Sequence, residues 1–251
     1  KVLYQDEENG ILHQLLEINN NQGIVKIHMF TEEIEITEED DSVKSFPICV
    51  GYFLDNNNQL DTSTNRKVSC FFPTEENFNL KCVTHAPFLL VDSRQQIKED
   101  EYNQDMKECL AELAADALVI LRDYGTRNRK NLINENIFKL IPEYSWSEHI
   151  FYDAYIKAIK KNALLLDSNS QYCTCQEAVI SRPQSMINIL TSEQLSFLYG
   201  EKKIFLCDGI QKAFSDNTAK NIMDDLKVTI LNGIDLAHLI SSSFMEKQGI
   251  K

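Results

Sequence analysis

HAPFLLVDSRQQIKED, residues His85–Asp100, runs directly into EYNQDMKECLAELAADALVILRD, residues Glu101–Asp123. The hydrophobic period changes at this junction. Leu80–Val91 is a short apolar run with Pro87 inside it. A proline cannot donate to a strand ladder, so this run suits an edge position or a bulge. Beyond Glu101 the apolar residues Met106, Leu110, Leu113, Ala117 and Ile120 recur at three- and four-residue steps. That spacing predicts an amphipathic helix over about Glu101–Asp123, lying on a sheet.

Upstream, a strand-like pattern begins almost at Lys1. Ile24–Ile36 alternates with a period of two, Phe46–Leu54 is a second strand candidate, and Lys67–Phe72 is a third, ended by Pro73. The first hundred residues read as a mostly antiparallel sheet. Thr37–Asp41, TEEDD, reads as a solvated loop. Downstream, Gly125 is expected to end the helix, and TRNRKN, Thr126–Asn131, is a polar connector. A domain boundary is expected there, giving one domain over 1–125 and a second over 132–251. In the second, Ser147–Lys161 reads as a helix and LLLDSNSQYCTC as a hairpin around DSNS. Thr191 opens a helix through T-S-E-Q, a capping box. Lys203–Asp208 reads as a strand, with helices over about Asp216–Leu226 and Ile234–Lys247.

The composition excludes several classes. With 251 residues the chain is long enough for one large domain or two ordinary ones. No apolar run approaches the roughly 20 residues of a membrane-spanning helix. A formal charge of −13 argues against nucleic acid as the main ligand. Seven cysteines at irregular spacings suit reduced thiols and a cytoplasmic protein better than a disulfide framework. Cys173 and Cys175 form C-x-C without a second pair, a weak metal signal, so no metal site is expected. The chain carries no P-loop, no dinucleotide-binding glycine motif, no G-x-S-x-G elbow and no H-E-x-x-H. On its own residues it does not read as a complete enzyme, and the start at Lys1 suggests part of a longer chain.

Arg94 stands out against this background. Ser93 and Gln96 have capping-box spacing, which makes Ser93 the expected N-cap and Arg94 the first helical residue. A helix N-terminus disfavours cations by about 0.3–1 kcal/mol, and Lys98 four residues on adds a like charge. An anion docking there would resolve the conflict, because N–H groups and a guanidinium would converge on one phosphate. The alternative is neutralisation by Asp92, Glu99 or Glu101.

HAPFLLVDSRQQI followed by a long amphipathic helix resembles the middle domain of the ninety-kilodalton heat-shock chaperones, with agreement at Pro87, Leu90, Ser93 and Arg94. CFFPTEENFNLKCVTHAPF, Cys70–Phe88, is similar to a diverged, sacsin-like branch of ATP-binding proteins. The match covers roughly Phe46–Asp123. This resemblance implies an α/β fold of the α+β kind: a ribosomal-S5-domain-2-like sheet with helices on one face, then a smaller mixed α/β domain. It implies a preceding ATP-binding domain of the gyrase, chaperone, kinase and mismatch-repair type, which holds ATP and Mg2+. Arg94 would reach the γ-phosphate, with Ser93 and Lys98 beside it. Lys98 stands where the chaperone motif has glutamine. The implied partners are the chain's own ATP-binding domain, client proteins and a second copy of the parent. The rival expectation is a protein-interaction module with no nucleotide role.

Overall fold

A computed structural model describes residues 1–20, 23–37, 43–144 and 149–240. The fold is mixed α/β, as the change of period predicts. The chain divides into two compact units, Lys1–Ile133 with Lys139–Ala158, and Asn134–Phe138 with Ile159–Lys251. The acidic run at 38–41 and the end of the last expected helix at 241–247 lie outside the described residues.

The first unit is built on a sheet. Its strands are β1 (Val2–Glu8), β2 (Ile11–Asn20), β3 (Gly23–Thr37), β4 (Val43–Leu54), β5 (Val68–Cys70), β6 (Phe72–Pro73) and β7 (Val83–His85). The order is β1-β2-β3-β4-β7-β5-β6, antiparallel except for the parallel β5–β7 pair. Period-two alternation puts His13, His28, Phe30, Val50 and Tyr52 on one buried face, aligned by the pairs His13↔Phe30, His28↔Tyr52 and Phe30↔Val50. Helix α1 (Glu101–Arg127) covers that face with Leu110, Leu113, Leu118 and Leu121, each at most 1% exposed. A Leu buried this fully contributes about 1.5–3 kcal/mol.

Two expectations about this region change. The helix does not end at Gly125. It continues to Arg127, and Asn128 caps it. Gly125 serves close approach instead: a Cβ there would lie 2.5 Å from the Lys130 carbonyl oxygen, and the Lys130 N–H donates to the Gly125 carbonyl at 2.7 Å. Nor does the first unit stop at the connector. Residues 126–131 are exposed, but most of helix α3 (Ile150–Lys161), reached through the single turn α2 (Ile137–Leu140), belongs to the first unit. The reason is packing: Phe151 stacks on Phe78 at 4.9 Å, and the Tyr155 and Tyr52 hydroxyls hydrogen-bond at 2.6 Å.

The second unit holds a hairpin, β8 (Leu165–Leu166) and β9 (Tyr172–Cys173), and a parallel sheet. The sheet's central strand is β10 (Ala178–Arg182). A 3₁₀ turn at Gln184–Asn188 and helix α4 (Ser192–Tyr199) lead to β11 (Ile204–Phe205) on one side. Helices α5 (Asp208–Ala213) and α6 (Asn217–Asp225) lead to β12 (Thr229–Asn232) on the other, followed by α7 (Gly233–Leu239). The expected capping box at Thr191 and Gln194 is present. Strands β10 and β11 splay after Val179 and Phe205, and the fully buried Gln211 amide fills the gap. Its Nε2 donates to the Val179 and Leu206 carbonyls at 3.1 and 3.2 Å, and its Oε1 accepts from the Ser181 N–H at 2.9 Å. Gln211→Leu strands the Ser181 N–H in an apolar interior. The expected cost is about 2–3 kcal/mol, read as a lower urea midpoint. An unchanged midpoint would contradict the role given to the amide.

Among the described residues no helix is long and apolar enough to cross a membrane.

Candidate functional site

Residues 89–98 do not begin a helix. They form a tight hairpin in which Leu90 bridges Ile97, the Val91 N–H donates to the Gln96 carbonyl at 3.0 Å, and the Arg94 N–H donates to the Val91 carbonyl at 2.7 Å. Arg94 sits at the tip with φ of 59°, a left-handed conformation that no residue of a right-handed helix adopts. The Ser93 hydroxyl accepts from the Gln95 N–H at 3.4 Å, shaping the turn. Ser93 is therefore not the helix N-cap. That role falls to Asp100, whose carboxylate accepts from the Asn103 N–H at 2.9 Å. The S-x-x-Q spacing arises inside the hairpin, and the dipole penalty on Arg94 does not arise.

Two anchors fix the hairpin. The first is Asn103, 1% exposed, on the first turn of α1. Its Nδ2 donates to the carbonyls of Leu89 and Lys98 at 2.8 and 2.7 Å, and its Oδ1 accepts from the Leu89 N–H at 2.8 Å. One amide thus clasps both arms. The second is Phe72-Pro73-Thr74 with the two glutamates that follow it. The buried Thr74 hydroxyl donates to the Val68 carbonyl at 2.9 Å and accepts from the Glu76 N–H at 3.1 Å. This sets the Glu75 N–H 2.8 Å from the Gln95 carbonyl and the Glu76 carboxylate 3.2 Å from the Ile97 N–H. The segment after Phe72-Pro73-Thr74 and the turn that carries Ser93 and Arg94 therefore meet in one place. Asn103→Ala removes three hydrogen bonds made by a buried amide; about 2–3 kcal/mol of stability should be lost, with faster amide exchange at residues 89–98. Unchanged exchange there would show that the clasp does not hold the turn.

Beside the hairpin lies an open groove of about 620 Å³, lined by Phe71, Phe72, Phe88, Leu89, Asp92 and Arg94 among others. Phe71 and Phe72 are 75% and 77% exposed, and Leu89 is 47% exposed. Phe71 also has left-handed backbone, φ 59°. Such backbone is rare for a bulky residue, yet two bulky residues adopt it within one groove. Neighbouring His85 helps hold Phe71 out: its Nδ1 accepts from the Phe71 N–H at 3.4 Å, and the two rings meet edge-on at 5.4 Å. Burial pushes the His85 imidazole pKa down, favouring the neutral ring that accepts this hydrogen bond.

The charges at the groove divide clearly. Lys98 pairs with Asp100 at 3.8 Å, next to the helix cap. Arg94 and Asp92 are exposed, and among the described residues neither side chain has a hydrogen-bond or ion-pair partner. The neutralisation weighed for Arg94 from the sequence, by Asp92, Glu99 or Glu101, is not made. Of the three residues singled out in the sequence, Arg94 presents its charge freely, Ser93 shapes the turn and Lys98 is engaged. Phe71, Phe72 and Asn103 were not singled out. Among the described residues no group of three or more His, Cys, Asp or Glu is placed to hold a metal ion.

The second unit has its own open groove, about 490 Å³, near the end of β11, lined by Asp167, Ser168, Gln184, Ser185, Asn188 and Asp208 among others. Gln184 Nε2 hydrogen-bonds Asp208, whose carboxylate also pairs with Lys212. No family model, curated protein or solved structure matches this chain.

Proposed function

We propose that the first unit is a transducer domain that docks on an ATP-binding region of a longer chain and lends it the Arg94 guanidinium. Bound ATP and Mg2+ would supply the cleavable phosphoanhydride and the charge that holds it. Arg94 would meet the terminal phosphate. The observation that carries this proposal is an arginine with no partner among the described residues, held on a twice-anchored turn. A guanidinium offers five N–H donors in a planar fork that matches phosphate oxygens, and a fixed turn lowers the cost of ordering it. Clasping of the turn by α1 gives a route for coupling, because movement of the helix carries the arginine with it. Seven free thiols suit a reducing cytoplasm.

A second proposal, a docking module with no nucleotide chemistry, draws support from the exposed Phe71 and Phe72. ATP turnover separates the two. The longer chain should hydrolyse ATP and this chain alone should not. Turnover by this chain alone, or no nucleotide binding by the longer one, would overturn the transducer proposal.

A further inference from the structure

The groove of the second unit lies outside the carboxyl ends of parallel strands, where open α/β sheets hold their ligands. Strand β10 leads into Gln184–Asn188 and strand β11 into Leu206–Asp208, and both exits line the groove together with the β8–β9 turn. The two strands pair only as far as Val179 and Phe205, so their exits diverge. Asp167, in the turn, is 4% exposed, yet it lines the groove. Its Oδ1 accepts from the Asn169 and Gln171 N–H groups at 2.7 and 2.9 Å, which fixes the carboxylate. Its Oδ2 has no hydrogen-bond or ion-pair partner among the described residues. Nor is that oxygen sealed in: the buried side-chain atoms without a partner, among the described residues, are His13 Nδ1 and Arg66 Nε. Oδ2 therefore opens to the groove.

A fixed carboxylate oxygen with free lone pairs suits a cationic donor, because a hydrogen bond between two charged groups is the stronger kind. The other carboxylate of the groove, Asp208, is already shared by Gln184 and Lys212. Among the described residues no lysine or arginine lines the groove, so a phosphate or carboxylate ligand would face Asp167 with no counter-charge. Ser168, Ser185 and Asn188 are exposed, and their side chains have no partner among the described residues. We propose that this groove binds a small polyhydroxylated amine. Its ammonium donates to Asp167 Oδ2, its hydroxyls meet Ser168, Ser185 and Asn188, and its carbon skeleton lies against Ile187. A volume of about 490 Å³ suits a molecule of that size. An open groove buries such a ligand incompletely, so the dissociation constant is on the order of 1 mM. This proposal concerns the second unit and does not rest on the nucleotide proposal.

An NMR titration with glucosamine tests it, with glucose and N-acetylglucosamine as neutral controls. The titration is run at about pH 6.5, where the amine is protonated, and in about 0.15 M salt, which screens unspecific attraction to a chain of charge −13. Glucosamine should shift the amides of residues 167–171, 184–188 and 206–208 along one saturable curve, and the neutral sugars should bind at least tenfold more weakly. Asp167→Asn should weaken glucosamine at least tenfold and leave the melting temperature unchanged, because the asparagine Oδ1 still accepts both N–H groups. Ser185→Ala with Asn188→Ala, at exposed positions, should weaken it several-fold and keeps the test decisive should Asp167→Asn fail to fold. No shift at these residues, unsaturable shifts spread over the acidic surface, or neutral sugars binding as well as glucosamine would each overturn the proposal. So would parent-like binding by a folded Asp167→Asn or by the double alanine variant.

Discussion

Arg94→Ala, in a chain that also carries the ATP-binding region, is expected to lower ATP turnover by about 100- to 1,000-fold while nucleotide affinity changes little. Loss of one preorganised charge stabiliser costs on the order of 3–4 kcal/mol in other systems. An arginine that meets charge chiefly as it develops lowers the barrier without adding much ground-state binding. Folding should be unaffected. The side chain is exposed and has no partner among the described residues, and alanine's smaller side chain leaves every backbone hydrogen bond of the turn in place. Its left-handed φ of 59° is equally unusual for alanine, so Arg94→Gly is the cleaner companion variant. Lys98→Gln should change turnover far less, because Lys98 already faces Asp100. Steady-state turnover, ATP affinity and a melting curve for each variant decide the matter. Parent-like turnover in Arg94→Ala would make the arginine incidental to ATP chemistry.

The second large effect is on stability in acid. His13 and His28 are each 1% exposed, and His13 Nε2 lies 2.8 Å from His28 Nδ1. Phe30 stacks on His13 at 4.5 Å, and Tyr124 of α1 meets both rings edge-on. Tyr4 completes the enclosure, and among the described residues His13 Nδ1 has no hydrogen-bond partner. Burial pushes the imidazole of His13 down to about 4 and that of His28 down to about 3, with the neighbouring ring adding to the effect on His28. Both are neutral in the native protein, whereas an unfolded histidine takes up a proton near pH 6.5. Above that pH the pair carries no penalty. As the pH falls from 6.5 toward 4, the unfolded state binds protons that the native state refuses, so stability declines. The loss by pH 4 is on the order of 6 kcal/mol for the two together, a large share of an ordinary domain's stability. Urea unfolding at a series of pH values should show this decline. His13→Leu with His28→Leu should remove most of the slope between pH 6.5 and 4.5, leaving the carboxylate part below it. Replacing both partners with apolar groups avoids stranding either ring. An unchanged slope in the double variant would mean that the pair does not govern acid sensitivity.

Legibility in the sequence followed length and context. Strands β3 and β4 and helix α1 are long and periodic, and each shows the period that its sequence carries. Strands β10 and β12 were not anticipated. AVISR is five residues long, ends at Arg182 before a proline and reads as a connector until flanking helices bury it. The S-x-x-Q spacing was legible, but capping geometry and a hairpin turn satisfy it equally well. The left-handed backbone at Arg94 and the Val91–Gln96 hydrogen bond distinguish them. The oddity of a cation at that position came from placing Arg94 in a helix, whereas it lies in a hairpin turn. Exposure of Phe71 and Phe72 was hidden for a different reason. KVSCFF looks like a core strand, and nothing local shows that its last residues leave the core at the sheet's edge. Asn103 sits within an amphipathic helix as one more polar residue. Its role depends on carbonyls five and fourteen residues away in sequence.

Chemical rescue asks for the guanidinium itself. With Arg94→Ala in the longer chain, ATP turnover should rise several-fold on adding low millimolar guanidinium, too dilute to unfold the protein. The same salt should leave the parent unchanged, and sodium at equal ionic strength should do nothing. Arg94→Lys should show little rescue, since its ammonium fills the space. Turnover in Arg94→Ala that is impaired but indifferent to guanidinium would contradict a guanidinium–phosphate contact and place the defect in docking instead.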